Sequence, residues 1–184
     1  SLLRGISSVY KELVKSRANM IGVSLKNYKV VTTYQFAFNP NTARMGDKIP
    51  VALNLSDSCV VSSIYPVFEI KNTNELDPEY LMMWFRRPEF DRYARFKSHG
   101  SAREIFSWDE MCDVELPVSN IIQQREIVKK YETIKALIGT YKDKNMKLID
   151  MAQAIYGHTN KDTSTFAPIR SLVLPNDVNL SAKH

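Results

Sequence analysis

The sequence predicts an α+β chain, in which a mixed-sheet domain is followed by a long projecting helix carrying a coiled-coil seam. Three observations carry that expectation. Short runs rich in β-branched and aromatic residues, separated by Pro and Asn clusters, occupy residues 28–70. Asp77-Pro78-Glu79 and Pro88 mark the starts of two short helices. From Ile127 onward, apolar residues recur at alternating steps of four and three through Ile155.

Taken in order, Tyr28–Phe38 reads as a strand that ends at the turn cluster Asn39-Pro40-Asn41. Cys59–Ser62 and Val67–Ile70 read as further strands, broken at Pro66, and Asn72-Thr73-Asn74 closes the sheet region. A helix over Glu79–Arg87 starts from an Asp77 N-cap and buries Leu81, Met82 and Phe85. Pro88 breaks it and begins a second helix that runs to about Phe96. Its aromatic residues read as core. Lys97-Ser98-His99-Gly100-Ser101-Ala102-Arg103 is a polar, basic loop. The stretch from Ile105–Trp108 to Val114–Pro117 is expected to return to the sheet.

Asn120 with Gln123 forms a capping box ahead of the most regular segment. The seam there is Ile127, Tyr131, Ile134, Ile138, Tyr141, Asn145, Leu148, Ala152 and Ile155. A helix from residue 120 to 156 would be ~55 Å long, whereas the domain before it should be ~30 Å across. Such a helix is expected to project and to need a partner helix; the alternative is that it folds back on its own domain. Asn145 within the seam would fix register and strand number. The expected division is a domain at 1–118, a spacer helix at 119–157, and an irregular tail at 158–184.

Composition narrows the function classes. The chain has 184 residues, 44% hydrophobic and 24% charged, which suits a folded protein with a core. Cys59 and Cys112 lack CxxC spacing, so neither a disulfide framework nor a zinc site is indicated, in keeping with a reducing cytoplasm. No stretch reaches the ~18 uninterrupted apolar residues of a membrane span. Ser1-Leu2-Leu3-Arg4 has no signal-peptide run, and the missing Met points to a fragment or a processed chain. The net charge of +5 is unevenly spread, with basic blocks over residues 1–48 and 86–103 around an acidic stretch. That pattern suggests a surface facing a polyanion; ordinary solvated lysines and arginines are the alternative.

A search for catalysis finds little. His99, His158 and His184 are isolated, and no glycine pattern fits a phosphate loop, so no cofactor is expected. Phe38-Asn39-Pro40-Asn41 resembles the Asn-Pro-Pro-aromatic motif of amino-methyltransferases but lacks the second proline and the aromatic. One enzymatic alternative is a Mg²⁺-dependent, restriction-type nuclease using Asp57, Glu69 and Lys71. Glu69 and Lys71 would equally fit the outer face of an alternating strand. A second alternative is a coiled-coil assembly protein whose basic charge is incidental.

Several stretches resemble the target-recognition domains of Type I restriction–modification specificity (S) subunits. Leu3–Ser7 looks like the family's opening strand, Asn19–Val31 its "N..G.DLS.YK.V" stretch, and Phe36–Pro40 its "FAYNP". Val60–Ser62 through Val67–Glu69 is similar to the "VSP.Y.VF" strand pair, and Tyr80–Phe85 to the helix after it. Gly100–Arg103 with Trp108-Asp109 resembles "G..R…W", Leu116-Pro117 with Gln124–Val128 resembles "P.P….QR.I", and Met151–Tyr156 the end of the conserved helix. The likeness spans roughly residues 1–156. Ser119 stands where a second proline is usual, and Val23 where an acid is.

The resemblance implies a non-catalytic reader of double-stranded DNA, in a family whose members join two recognition domains through antiparallel spacer helices. It implies methyltransferase (modification) and restriction subunits as partners. With one domain and one helix, a second copy of the chain could complete a symmetric dimer. Phosphate contact is expected from Arg17, Lys26, Arg95 and Lys97. Base reading is expected from Asn41, Arg44, His99, Ser101 and Arg103, which fall on predicted loops. Arg103 has a competing role, pairing with Asp109 or Glu110.

Overall fold

The computed structural model describes residues 2–16, 24–42, 48–98 and 104–159, with side chains through residue 157. The chain divides into two units between Glu132 and Thr133. The first contains every strand and the short helices.

It opens with a hairpin of β1 (Arg4–Ser7) and β2 (Glu12–Lys15), paired antiparallel. The connecting turn is closed by Lys11 N–H donating to Ser7 O at 2.8 Å and by Tyr10 N–H donating to the Ser7 hydroxyl at 3.2 Å. Lys11 adopts φ 51°, a conformation in which a side chain costs roughly 1–2 kcal/mol. Its own side chain reaches back into the domain. Lys11 is buried, with Nζ against the Phe85 carbonyl and 2.6 Å from Asp91 Oδ1. Asp91 Oδ1 also accepts from Ile49 N–H at 3.1 Å, so one carboxylate joins the hairpin to residues 49 and 91 further along the chain.

The expected strand over 28–38 is two strands, β3 (Lys29–Val31) and β4 (Phe36–Phe38). Between them Tyr34 takes φ 65°, and Gln35 N–H donates to Thr32 O, so the chain reverses there. The buried Asn54 holds this reversal: its amide donates to Val31 O and Asp57 O, and its backbone carbonyl accepts from Tyr34 N–H at 2.7 Å. β5 (Val51–Leu53) follows, then β6 (Cys59–Val61) and β7 (Val67–Phe68). β4 lies between β5 and β7, and β3 pairs with β6, all antiparallel. A parallel bridge from Leu3 to Val60 makes the sheet region mixed, as expected.

β4 is buried on both faces, and its alternation divides two cores. Phe36 and Phe38 point into the larger one with Val51, Leu53, Phe85, Phe90 and Phe106. Ala37 points the other way, against Val31, Cys59 and Val61. The larger core is an aromatic lattice: Phe36 stacks on Phe68 at 4.9 Å, and Phe85 meets Phe90 at 4.8 Å.

Helix α1 (Pro78–Phe85) begins as its sequence dictates, with Asp77 accepting from Glu79 and Tyr80 N–H and Pro78 in the first turn. α2 (Pro88–Lys97) starts at its proline and buries Phe90, Asp91 and Ala94. The expected return to the sheet after Ile105 is corrected to a helix, α3 (Trp108–Cys112), capped by the Ser107 hydroxyl. Ile105 alone bridges back, to Asn41.

α4 (Ile121–Thr159) is 39 residues long, close to the expected helix. Asn120 Oδ1 accepts from Gln123 N–H at 2.9 Å, the forward half of the expected capping box. One turn on, Gln124 is fully buried and accepts from Asp77 N–H while donating to Glu75 O and Ser119 O. These bonds fasten the first turn of α4 to the cap of α1. In the second unit, the side chains of Thr133–Gly157 are exposed apart from the position of Gly139. Ile134, Ile138, Tyr141, Leu148 and Ile155 are each half or more exposed.

Candidate nucleic-acid interface

Short polar side chains tie together the described residues that flank 43–47 and 99–103. Thr42 is buried; its hydroxyl lies 2.9 Å from the Ser98 hydroxyl and 3.0 Å from Glu104 O. Its N–H also donates to Glu104 O, and the Ser98 hydroxyl donates to Ala94 O. Phe106 N–H donates to Pro40 O alongside. Residues 40–42, 98 and 104–106 thus form one knot. Segment 43–47 leaves from it, and segment 99–103 leaves and returns through it.

Of the residues expected to touch DNA, Asn41, Arg95 and Lys97 belong to this region. Asn41 Oδ1 is buried without a hydrogen-bond partner among the described residues, although its N–H donates to Asn39 Oδ1. Arg95 projects from the last turn of α2 and pairs with Glu104; Lys97 lies 3.7 Å from Glu110 and over the Tyr93 ring. Both pairs are partly exposed. Exposed pairs are worth ~0–1 kcal/mol, so either cation can be given up to a phosphate at little cost. Arg44, His99, Ser101 and Arg103 lie outside the described residues, as does Arg17. Lys26 lies elsewhere, on the turn before β3, where its N–H donates to the Ser24 hydroxyl.

The expectation that the aromatic residues of α2 are core is corrected at Phe96. It is 81% exposed, between Arg95 and Lys97 at the edge of the knot. The helical period contained the signal, since Phe90 and Ala94 define the buried face of α2 and position 96 falls off it.

The residues of the nuclease alternative are dispersed in role. Glu69 accepts from the Gln35 amide at 3.0 Å, and Asp57 offers its backbone carbonyl to Asn54. Among the described residues no group of three or more His, Cys, Asp or Glu is arranged to hold a metal ion. Burial pushes the Cys59 thiol pKa up, against the pull of Arg4, so its nucleophilic thiolate is disfavoured. No described helix is long and apolar enough to cross a membrane.

No family model matches the sequence, and neither does any curated protein. Among solved structures, the chain is similar to the crystal structure of the HsdS subunit from Thermoanaerobacter tengcongensis. The TM-score is 0.57 at 15% identity, over 89% of this chain and 43% of that one. The chain therefore has an HsdS-like α+β fold and spans less than half the length of that subunit.

Proposed function

We propose that the chain reads duplex DNA as the specificity component of a Type I restriction–modification complex, without catalysis of its own. The observation that supports the reading is the Thr42–Ser98–Glu104 knot on an HsdS-like fold, which joins the residues flanking Arg44 to those flanking Arg103. Residues 1–118 serve as the recognition domain and 119–157 as the spacer helix on which methyltransferase and restriction subunits assemble. Arg95, Lys97, Lys26 and Arg17 hold phosphates, and they set affinity and orientation. Asn41, Arg44, His99, Ser101 and Arg103 reach base edges, where forked or short polar donors discriminate between base pairs. Phe96 adds an apolar face beside them.

The test is a binding titration of the chain assembled with its methyltransferase subunit against a pool of random-sequence duplexes. Affinity should fall steeply with salt, and a subset of sequences should persist under competitor DNA. Arg103→Ala should relax the preference at one base position, whereas Lys97→Ala should weaken all duplexes alike. Equal affinity for every duplex would overturn the reading.

A further inference from the structure

Helices α1 and α2 and the chain just after α3 border a recess of about 410 Å³, within the ~300–1,000 Å³ typical of clefts that hold small groups. Its apolar walls are Trp84, Phe90, Tyr93 and Val114. Phe90 is buried, whereas Trp84 and Tyr93 are half-buried and keep ring surface open to solvent. The chain sets cations of its own against both rings. The Arg87 guanidinium carbon lies 4.5 Å from the Trp84 ring centroid, and Lys97 Nζ lies 5.9 Å from that of Tyr93. Two walls of the recess are thus surfaces on which a cation is already stabilised.

The rim carries the sign opposite to that of the whole chain. Glu89, Lys97, Asp113 and Glu115 stand around the walls. Glu89 is balanced by Arg87 at 3.3 Å and Arg92 at 3.4 Å, and Lys97 by Glu110 at 3.7 Å. Asp113 and Glu115, exposed on either side of Val114, make no ion pair among the described residues. Two negative charges are therefore left uncompensated on a chain whose net charge is +5. Such a rim repels phosphate and draws a cation. Among the described residues no group of three or more His, Cys, Asp or Glu is arranged to hold a metal ion, so the cation must suit aromatic walls instead. A guanidinium does: its flat face stacks on rings and its forked donors match carboxylates, whereas an ammonium is a more strongly hydrated point charge.

We propose that this recess takes an arginine side chain presented by another polypeptide, with the guanidinium against Trp84 and Tyr93 and its donors on Asp113 and Glu115. The stem of that arginine lies along Phe90 and Val114, where its methylene groups leave water. The recess is thus a protein-binding site on the recognition domain. The assignment goes beyond the DNA reading, since it uses neither 43–47 nor 99–103.

Titration of the isotope-labelled full chain with N-acetyl-arginine N-methylamide, followed by NMR, tests this without DNA, so the outcome is independent of whether the chain reads sequence. The Trp84 indole N–H and the Val114 amide should shift saturably, and added salt should weaken the binding. The citrulline counterpart, of the same shape but uncharged, should bind about tenfold more weakly. Blocked arginine should lose about as much on the chain carrying D113N and E115Q. The comparison of the two ligands on the wild type stands even if that variant fails to fold. Citrulline binding as tight as arginine binding, or shifts that grow without saturating, would overturn the proposal. So would tighter binding of free arginine than of the blocked derivative, because the occupant would then be a small molecule.

Discussion

Phe38 and Ile138 are both large apolar residues on regular elements, yet their surroundings are opposite. Phe38 is wholly buried, meeting Phe68 and Phe106 edge-on at 6.3 Å; Ile138 is 50% exposed on α4. The first is satisfied by its own chain, and folding is its reward. The second keeps half of its surface in water, so covering that surface would add to stability. Gln124 stands at the border between these regimes. It occupies the a-type position one heptad before Tyr131, yet it is polar, buried and bonded to its own domain.

Substitutions should separate the two regimes. Phe38→Ala removes a ring from the aromatic lattice and should cost about 3–5 kcal/mol by chemical denaturation. Lys11→Met strands Asp91 next to a positive-φ turn, and a loss of about 3 kcal/mol is expected. The same pair has a pH signature. Burial, ahead of the opposing pull of Asp91, lowers the Lys11 pKa below the ordinary lysine value. The folded chain then sheds this proton before the unfolded chain does. Relative to Lys11→Met, wild-type stability should therefore rise with pH in the interval just below the ordinary lysine pKa. A flat difference between the two proteins across that interval would mean that Lys11 is not desolvated.

Gln124→Ala leaves the Asp77 N–H and the carbonyls of Glu75 and Ser119 without their partner, for about 1–3 kcal/mol. Hydrogen exchange should quicken at Asp77. The smallest change in stability belongs to Ile138→Asp, within about 0.5 kcal/mol by chemical denaturation. A large loss of stability in the isolated protein would mean that position 138 is covered by its own chain.

Legibility followed the locality of each signal. Asp77-Pro78, Pro88 and Asn120–Gln123 announce helices through bonds made within a single turn, and all three appear where the sequence puts them. The seam was equally plain because period is visible without knowing the partner. What escaped depends on distant residues. Nothing in Ser8-Val9-Tyr10-Lys11 signals a tight turn, since its positive φ is stabilised by Asp91, far along the chain. Tyr34 breaks one apparent strand into two because Asn54 reaches back to hold it. α3 was legible and overlooked: Ser107 with Asp109 and Glu110 in the first turn is a start signal. For the site, the sequence could nominate residues such as Asn41 but could not reveal that Thr42 bonds to Ser98 and Glu104, more than fifty residues away.

That knot has an evolutionary consequence. Among the described residues, its contacts run through backbone carbonyls and the hydroxyls of Thr42 and Ser98. Substitutions within 43–47 and 99–103 can therefore accumulate without removing either hydroxyl from the knot. On the proposed reading, a lineage could acquire a new target by replacing those two short stretches, leaving the aromatic lattice and the Gln124 anchor of α4 in place.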